Sequence, residues 1–221
     1  MTFVVAIGSW CLAMSLAILL LVVRLLPGRV TEWAVGAYVA YHRNVPTLVQ
    51  LMLWYFGISS LLPDGLQIFL TDNNGEAVFA IIALGLCQAA YFSEDLRSGL
   101  RSVPAGQMEA ARALGHGFVG TMRHVLMPQA VRNALPALIN HSVSLFKNSS
   151  LAMAIGVAEL THAVKEVENQ SFQTFETYLI ATIAYLVCSL AIMAGRCRPE
   201  PARIDLGSAL SHAVRPDRHH P

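Results

Sequence analysis

The first 23 residues carry no charged side chain, and that run constrains the fold more than any other feature. About 20 apolar residues in a helix suffice to cross a bilayer core. Further uncharged runs cover residues 45–62, 77–93 and 177–195. A fifth segment, residues 133–157, is apolar but broken by Asn140, His141, Ser142, Ser144 and Lys147. A polar stripe at membrane depth faces a bundle interior or a water-filled cavity. The expectation is an all-α integral membrane bundle of five transmembrane helices, at about 2–23, 45–62, 77–96, 133–157 and 177–195. The first run lacks a basic start and is longer than a signal-peptide core, so it reads as a retained span.

Composition supports this. Of 221 residues, 55% are hydrophobic and 13% charged, against roughly 25% charged in a typical soluble domain. With a net charge of +1 the chain lacks the basic excess of a nucleic-acid binder. Cys11, Cys87, Cys188 and Cys197 form no CxxC pair, and the eight histidines form no metal-ligand spacing. No metal site, cofactor or catalytic residue is expected. The segment Gly115-His116-Gly117 lacks the lysine of a phosphate loop, so the chain is not expected to hydrolyse ATP.

Charge orients the spans. Thirteen of the 15 basic residues fall between the first and second runs, between the third and fourth, or after the fifth. The intervening loops on the other side hold Asp64, Asp72 and Glu76, and then Glu159, Glu166, Glu168 and Glu176 with Lys165. The positive-inside rule makes the arginine-rich side cytoplasmic, with the N-terminus outside and the C-terminus inside. The last residues, 196–221, are rich in proline and charge and are expected to be a poorly ordered cytoplasmic tail.

The cytoplasmic loop, residues 97–132, reads as two short helices about a glycine joint. Residues 105–114 favour helix, Gly115 accepts the positive φ of a helix end, and Phe118, Met122, Val125 and Leu126 recur on one helical face. Pro128 is expected to end or kink the second helix. Such an amphipathic helix can lie on the membrane, pack on its own bundle, or dock on a partner; periodicity leaves these three open.

Glu109-Ala110-Ala111, three residues, Gly115, nine residues and then Val125-Leu126-Met127-Pro128 resembles the EAA loop, EAA-x3-G-x9-I-x-L-P, of ABC-importer permeases. The segments His42-Arg43-Asn44-Val45-Pro46, Ser93-Glu94, Arg97-Ser98-Gly99, Phe146-Lys147-Asn148-Ser149-Ser150 and Gly156-Val157-Ala158-Glu159-Leu160 look like the polar amino-acid branch of that family. The resemblance covers about residues 1–195. It implies the type I importer permease fold and a second permease subunit, identical or similar. It also implies a cytoplasmic ATPase subunit that binds the ATP, and a periplasmic or lipid-anchored binding protein that delivers the amino acid. The EAA segment would be the coupling helix, with Glu109, Ala110, Ala111, Gly115, Phe118, Met122 and Pro128 contacting or shaping the ATPase cleft. Gly115 would also permit close backbone approach. The chain departs from the family pattern in starting nearly inside its first span, and in Gly195-Arg196-Cys197-Arg198-Pro199, which interrupts the apolar end of the last.

Other residues carry two readings. Arg43, Glu94 and Arg97 are headgroup-level interface charges or part of a gate, and Glu94 is spaced to pair with Arg97 on one helix face. Lys147 either attracts a substrate carboxylate or pairs structurally, with Glu159 as the partner considered. Asn140, Ser144, Asn148 and Ser149 line a substrate path or hydrogen-bond between helices. The function expected is import of polar amino acids across the inner membrane, glutamate or aspartate first. The alternative is a non-transporting scaffold that recruits a cytoplasmic partner. A secondary transporter fits poorly, because paired interrupted spans in two halves are missing from the sequence.

Overall fold

The computed structural model describes residues 1–26 and 28–194, so the predicted tail lies outside the described residues. All their regular structure is helical. Helix α1 spans Thr2–Leu25, α2 Arg29–Asn44 and α3 Thr47–Met52. The last continues through a π-helical stretch, Leu53–Ile58, and a 3₁₀ turn, Ser59–Leu61. Helix α4 spans Asp64–Asp72, α5 Gly75–Arg101, α6 Ala105–Ala113 and α7 Phe118–Thr121. Wide π turns over Met122–Leu126 lead into α8, Met127–Asn148, which tightens to 3₁₀ geometry over Ser149–Ile155. Helices α9, Leu160–Ser171, and α10, Thr174–Ala194, follow.

Three described helices, α1, α5 and α10, are long and apolar enough to cross a membrane, and Thr47–Leu61 is apolar but shorter. Helix α5 is the axis of the bundle, with α1 along one side and α8 along another. The reason is residue size. Helix α1 buries Val5, Ser9, Ala13, Ala17 and Leu21, a stripe of mostly small residues at helical spacing. Helix α5 answers with Ala80, Leu84, Gly85, Ala89 and Phe92. In lipid there is little hydrophobic gain between helices, so close van der Waals contact between small residues holds them together. The limit is reached at Gly99, where an added Cβ would lie 2.4 Å from the Ala130 carbonyl oxygen and 2.8 Å from Ala134 Cβ of α8.

The outward faces are apolar. Phe3, Ile7 and Leu19 of α1 and Ile180, Val187 and Leu190 of α10 are all exposed. Such a surface is a liability in water and is what acyl chains require. Tying the bundle across its faces, the Trp10 indole N–H donates to the Ser142 hydroxyl at 2.9 Å.

Several local expectations change. The stretches between apolar runs are not plain loops: residues 24–44 contain α2, residues 63–76 contain α4, and α9 precedes the last run. Pro128 does not end the helix. It sits in the first turn of α8, where a missing N–H removes little, and the π turns before it widen the backbone that the ring would otherwise crowd.

Candidate functional site

The segment joining α5 to α8 is built around one backbone feature. Helix α6 ends at Ala113, and Gly115 follows at φ +84°. Its N–H donates to the Arg112 carbonyl at 2.9 Å, and that of His116 to the Ala111 carbonyl at 3.1 Å. This is a Schellman cap, which demands the left-handed conformation at the glycine. Within the chain an added Cβ at Gly115 meets nothing within 4 Å, so here the glycine serves conformation. Only Gly115 of the pair takes positive φ; Gly117 sits at φ −69° and caps α7 in extended conformation.

The cap aims the side chains. Glu109 and Ala110 are exposed, while Ala111 packs inward. Leu114 and Val119 are 81% and 75% exposed, and Phe118 58%. Met122 and Leu126 turn back toward the bundle with one edge of Phe118, bordering an apolar cavity of about 310 Å³ with Leu25, Leu100 and Met108. The sequence stripe therefore packs largely on its own bundle, and the apolar groups left outside are Leu114, Val119 and most of Phe118. Pro128 is exposed at the base of α8.

Helix α8 carries the polar stripe. Asn140, Ser144 and Lys147 follow one another at intervals of four and three, with Asn148 beside them, so the four share a face. Asn140 and Lys147 are exposed, and none of the four makes a side-chain hydrogen bond among the described residues. Ser149 is elsewhere: it is fully buried, and its hydroxyl donates to the Phe146 carbonyl at 2.7 Å. The pairing of Lys147 with Glu159 is also corrected. Glu159 is 2% exposed. Its carboxylate accepts the His162 N–H at 2.9 Å, capping α9, and the Tyr185 hydroxyl at 2.8 Å from α10. Both oxygens are thus engaged by neutral donors.

A third group lies where α1, α2 and α5 meet. Glu94 accepts from Arg24 of α1, and from Arg97 at 3.2 Å along its own helix. The Arg43 guanidinium stands 5.4 Å from the Tyr91 ring centre, within cation–π range. One face of α5 away, Asp95 meets the His141 Nδ1 at 2.6 Å, linking α5 to α8, and Tyr91 packs 5.1 Å from the His141 ring. Glu94 thus pairs with Arg97, as their spacing suggested, and with Arg24 besides; Arg43 borders the same cleft, and Asp95 and His141, which the sequence reading left out of its candidate site, form a second pair nearby. His141 falls within the polar run of residues 140–144 and Asp95 follows Glu94, so each adjoins residues that the sequence singles out, and that adjacency was the available signal.

At the corner between α2 and α3, His42 Nδ1 lies 2.6 Å from Gln50 Oε1, and the Gln50 amide donates to the His42 and Val45 carbonyls. The His42 side chain is buried, which lowers its pKa from the ordinary value, with the Gln50 hydrogen bond opposing. The residues from His42 to Gln50 that resemble the family are a structural corner.

This arrangement is that of a helical membrane protein: a bundle with small-residue packing, a polar face on α8 and a partly apolar projection at one end. Residues 9–196 match the family described as binding-protein-dependent transport system inner membrane component. The chain belongs to that family. It is 30% identical over 196 residues to the glutamate/aspartate import permease protein GltJ of Escherichia coli K12, covering 87% of this chain and 80% of that one. It is 39% identical over 153 residues, 69% of the chain, to the probable amino-acid permease protein YxeN of Bacillus subtilis. It is 37% identical over 156 residues, 70% of the chain, to the octopine transport system permease protein OccM of Rhizobium radiobacter. The matches span 66% and 63% of those two relatives' lengths. A crystal structure of an amino acid ABC transporter with histidines superposes with a TM-score of 0.77 at 26% identity, covering 97% of this chain and 91% of that one. The MetNI methionine ABC transporter, at 20% identity and a TM-score of 0.63, shares the fold. The fold is that of the type I importer permeases, and the chain is a multi-pass membrane protein. These relatives are transport components, named permeases.

Proposed function

We propose that this chain is the permease subunit of an ATP-binding-cassette importer for polar amino acids. The carrying observation is the projection: Leu114, Phe118 and Val119 stand exposed on a segment stiffened by the Gly115 cap, at the arginine-rich end of the bundle. A rigid apolar projection can seat in a cleft of a cytoplasmic ATPase and transmit its movement. ATP binding there biases the bundle between inward- and outward-open states, provided the contacts differ between them. The chain crosses the membrane five times, through α1, residues 47–61, α5, residues 127–155 and α10. An odd number places the termini on opposite sides, and the arginines set the N-terminus outside.

A second permease subunit closes the path, with Asn140, Ser144, Lys147 and Asn148 facing it, and a binding protein delivers cargo from outside. Glutamate or aspartate is the cargo we favour, because Lys147 is a cation on that face with no acidic partner among the described residues. Purification in gentle detergent beside a Gly115→Val variant tests the assembly. An ATPase subunit that co-purifies with the parent and is reduced in the variant supports the reading. A stable chain that brings no ATPase overturns it. Lys147→Ala should lower uptake of an acidic amino acid more than of a neutral one; equal loss removes the cargo assignment alone.

A further inference from the structure

Between α2 and α5 lies an open cleft of about 420 Å³ whose walls include Arg24, Arg43, Arg97 and Glu94, with Asn44 and Gly36 at its edge. Three guanidinium groups face one carboxylate. Glu94 already serves Arg24 and Arg97 together. Arg43 has only the Tyr91 ring. The Arg24 Nε is buried and has no hydrogen-bond partner. The cleft therefore carries an excess of cationic donors, where a purely structural cluster would be balanced. At Gly36 an added Cβ meets nothing within 4 Å, so the cleft is open there.

Its depth is set by α2. That helix buries Val35, Val39 and His42 and exposes Val30 and Trp33, at 79% and 75%. Exposed apolar and tryptophan side chains beside buried ones are the signature of a helix lying in the headgroup layer. Arg24 ends the uncharged run of α1 at the same level.

We propose that this cleft binds the phosphate of an anionic phospholipid headgroup. The guanidinium groups supply paired N–H donors that match phosphate oxygens. Basic clefts between membrane helices select such headgroups, each arginine adding a modest increment. Bound there, the lipid ties α2 to α5 through Arg43 and Arg97.

The test uses the purified complex in mixed micelles of equimolar phosphatidylglycerol and phosphatidylcholine, with retained lipid counted by native mass spectrometry. Phosphatidylglycerol should be retained over phosphatidylcholine. Arg43→Gln should weaken that retention about fivefold, and Arg43→Gln with Arg97→Gln roughly twenty-fivefold. Gly36→Phe fills the cleft without touching a charge and should abolish the preference, while Arg43→Lys keeps most of it. Glu94→Gln removes the competing carboxylate and should tighten retention, which a structural role for the cluster does not predict. Equal retention of the two lipids, or an unchanged preference in Gly36→Phe, overturns the proposal. A free phosphate source is separated by adding millimolar inorganic phosphate. If phosphate binds and the lipids show no preference, the lipid assignment is wrong; if anionic lipid stays bound, it stands.

Discussion

Helix α5 and the α6–α7 segment both depend on a glycine, for opposite reasons. Gly99 of α5 is needed because α8 passes too close for a Cβ, with the Ala130 carbonyl 2.4 Å from where it would stand. Gly115 is needed because the chain turns at positive φ, with open space around it. Helix α5 is held by packing on several sides; the α6–α7 segment is turned by its own hydrogen bonds and, although Ala111 packs inward, leaves Leu114, Val119 and most of Phe118 outside. A region meant to keep its shape is built from neighbours, and a region meant to meet something else is built from backbone.

Substitutions can break that contrast. The largest effect is expected at Gly99→Val, which forces apart α5 and α8. A loss at or above about 3 kcal/mol, the upper end for overpacking, should appear as lost folded chain in detergent; a normal yield would mean that the helices are less tightly apposed. Next comes His141→Ala, which leaves Asp95, 11% exposed, without its 2.6 Å partner. A cost of about 2 kcal/mol is expected in thermal unfolding, and Asp95→Asn with His141→Ala should recover part of it. At Gly115 the contrast sharpens. Asn tolerates the left-handed region, so Gly115→Asn should cost a few tenths of a kcal/mol, and Gly115→Val about 1–2 kcal/mol. The Val variant should depress substrate-stimulated ATPase activity while the spans insert normally. If Asn and Val behave alike, the requirement is not conformational.

The smallest effect concerns pH. Burial holds the His42 pKa below its ordinary 6.5 in the folded chain. The unfolded chain then binds more protons as pH falls below about 6.5, so the α2–α3 corner loses stability there and regains it as pH rises. Unfolding midpoints measured from pH 7.5 down to 5.5 should fall, and His42→Gln should flatten the slope. An unchanged slope in that variant would assign the pH dependence elsewhere.

The termini of α6 and the stripe of α8 were legible in advance, because each depends on near neighbours in the chain. Ala105–Ala113 followed by a glycine turn reads directly from helix-favouring residues and Gly115, and Asn140, Ser144 and Lys147 read from their spacing. The pairing of Glu94 with Arg97 was legible too, being three residues apart. What lies far apart in sequence was not. Arg24 reaches Glu94 across 70 residues, and Asp95 meets His141 across 46. Glu159 looked like a partner for Lys147 and instead caps α9 beneath Tyr185. Ser149 was grouped with the stripe, but it stands four residues after Leu145 and three after Phe146, on the buried face of the helix.

Hydrophobic runs and their flanking charges determine that this chain is a helical membrane protein, because transfer of apolar residues into lipid depends on composition alone. The motif spacing determines its family. Tertiary structure decided which charges share a partner, which glycine serves contact and which serves conformation, and which face of the α6–α7 segment stays outside. These depend on distances between helices, and helix packing depends on the shapes of surfaces that come together only once the bundle forms.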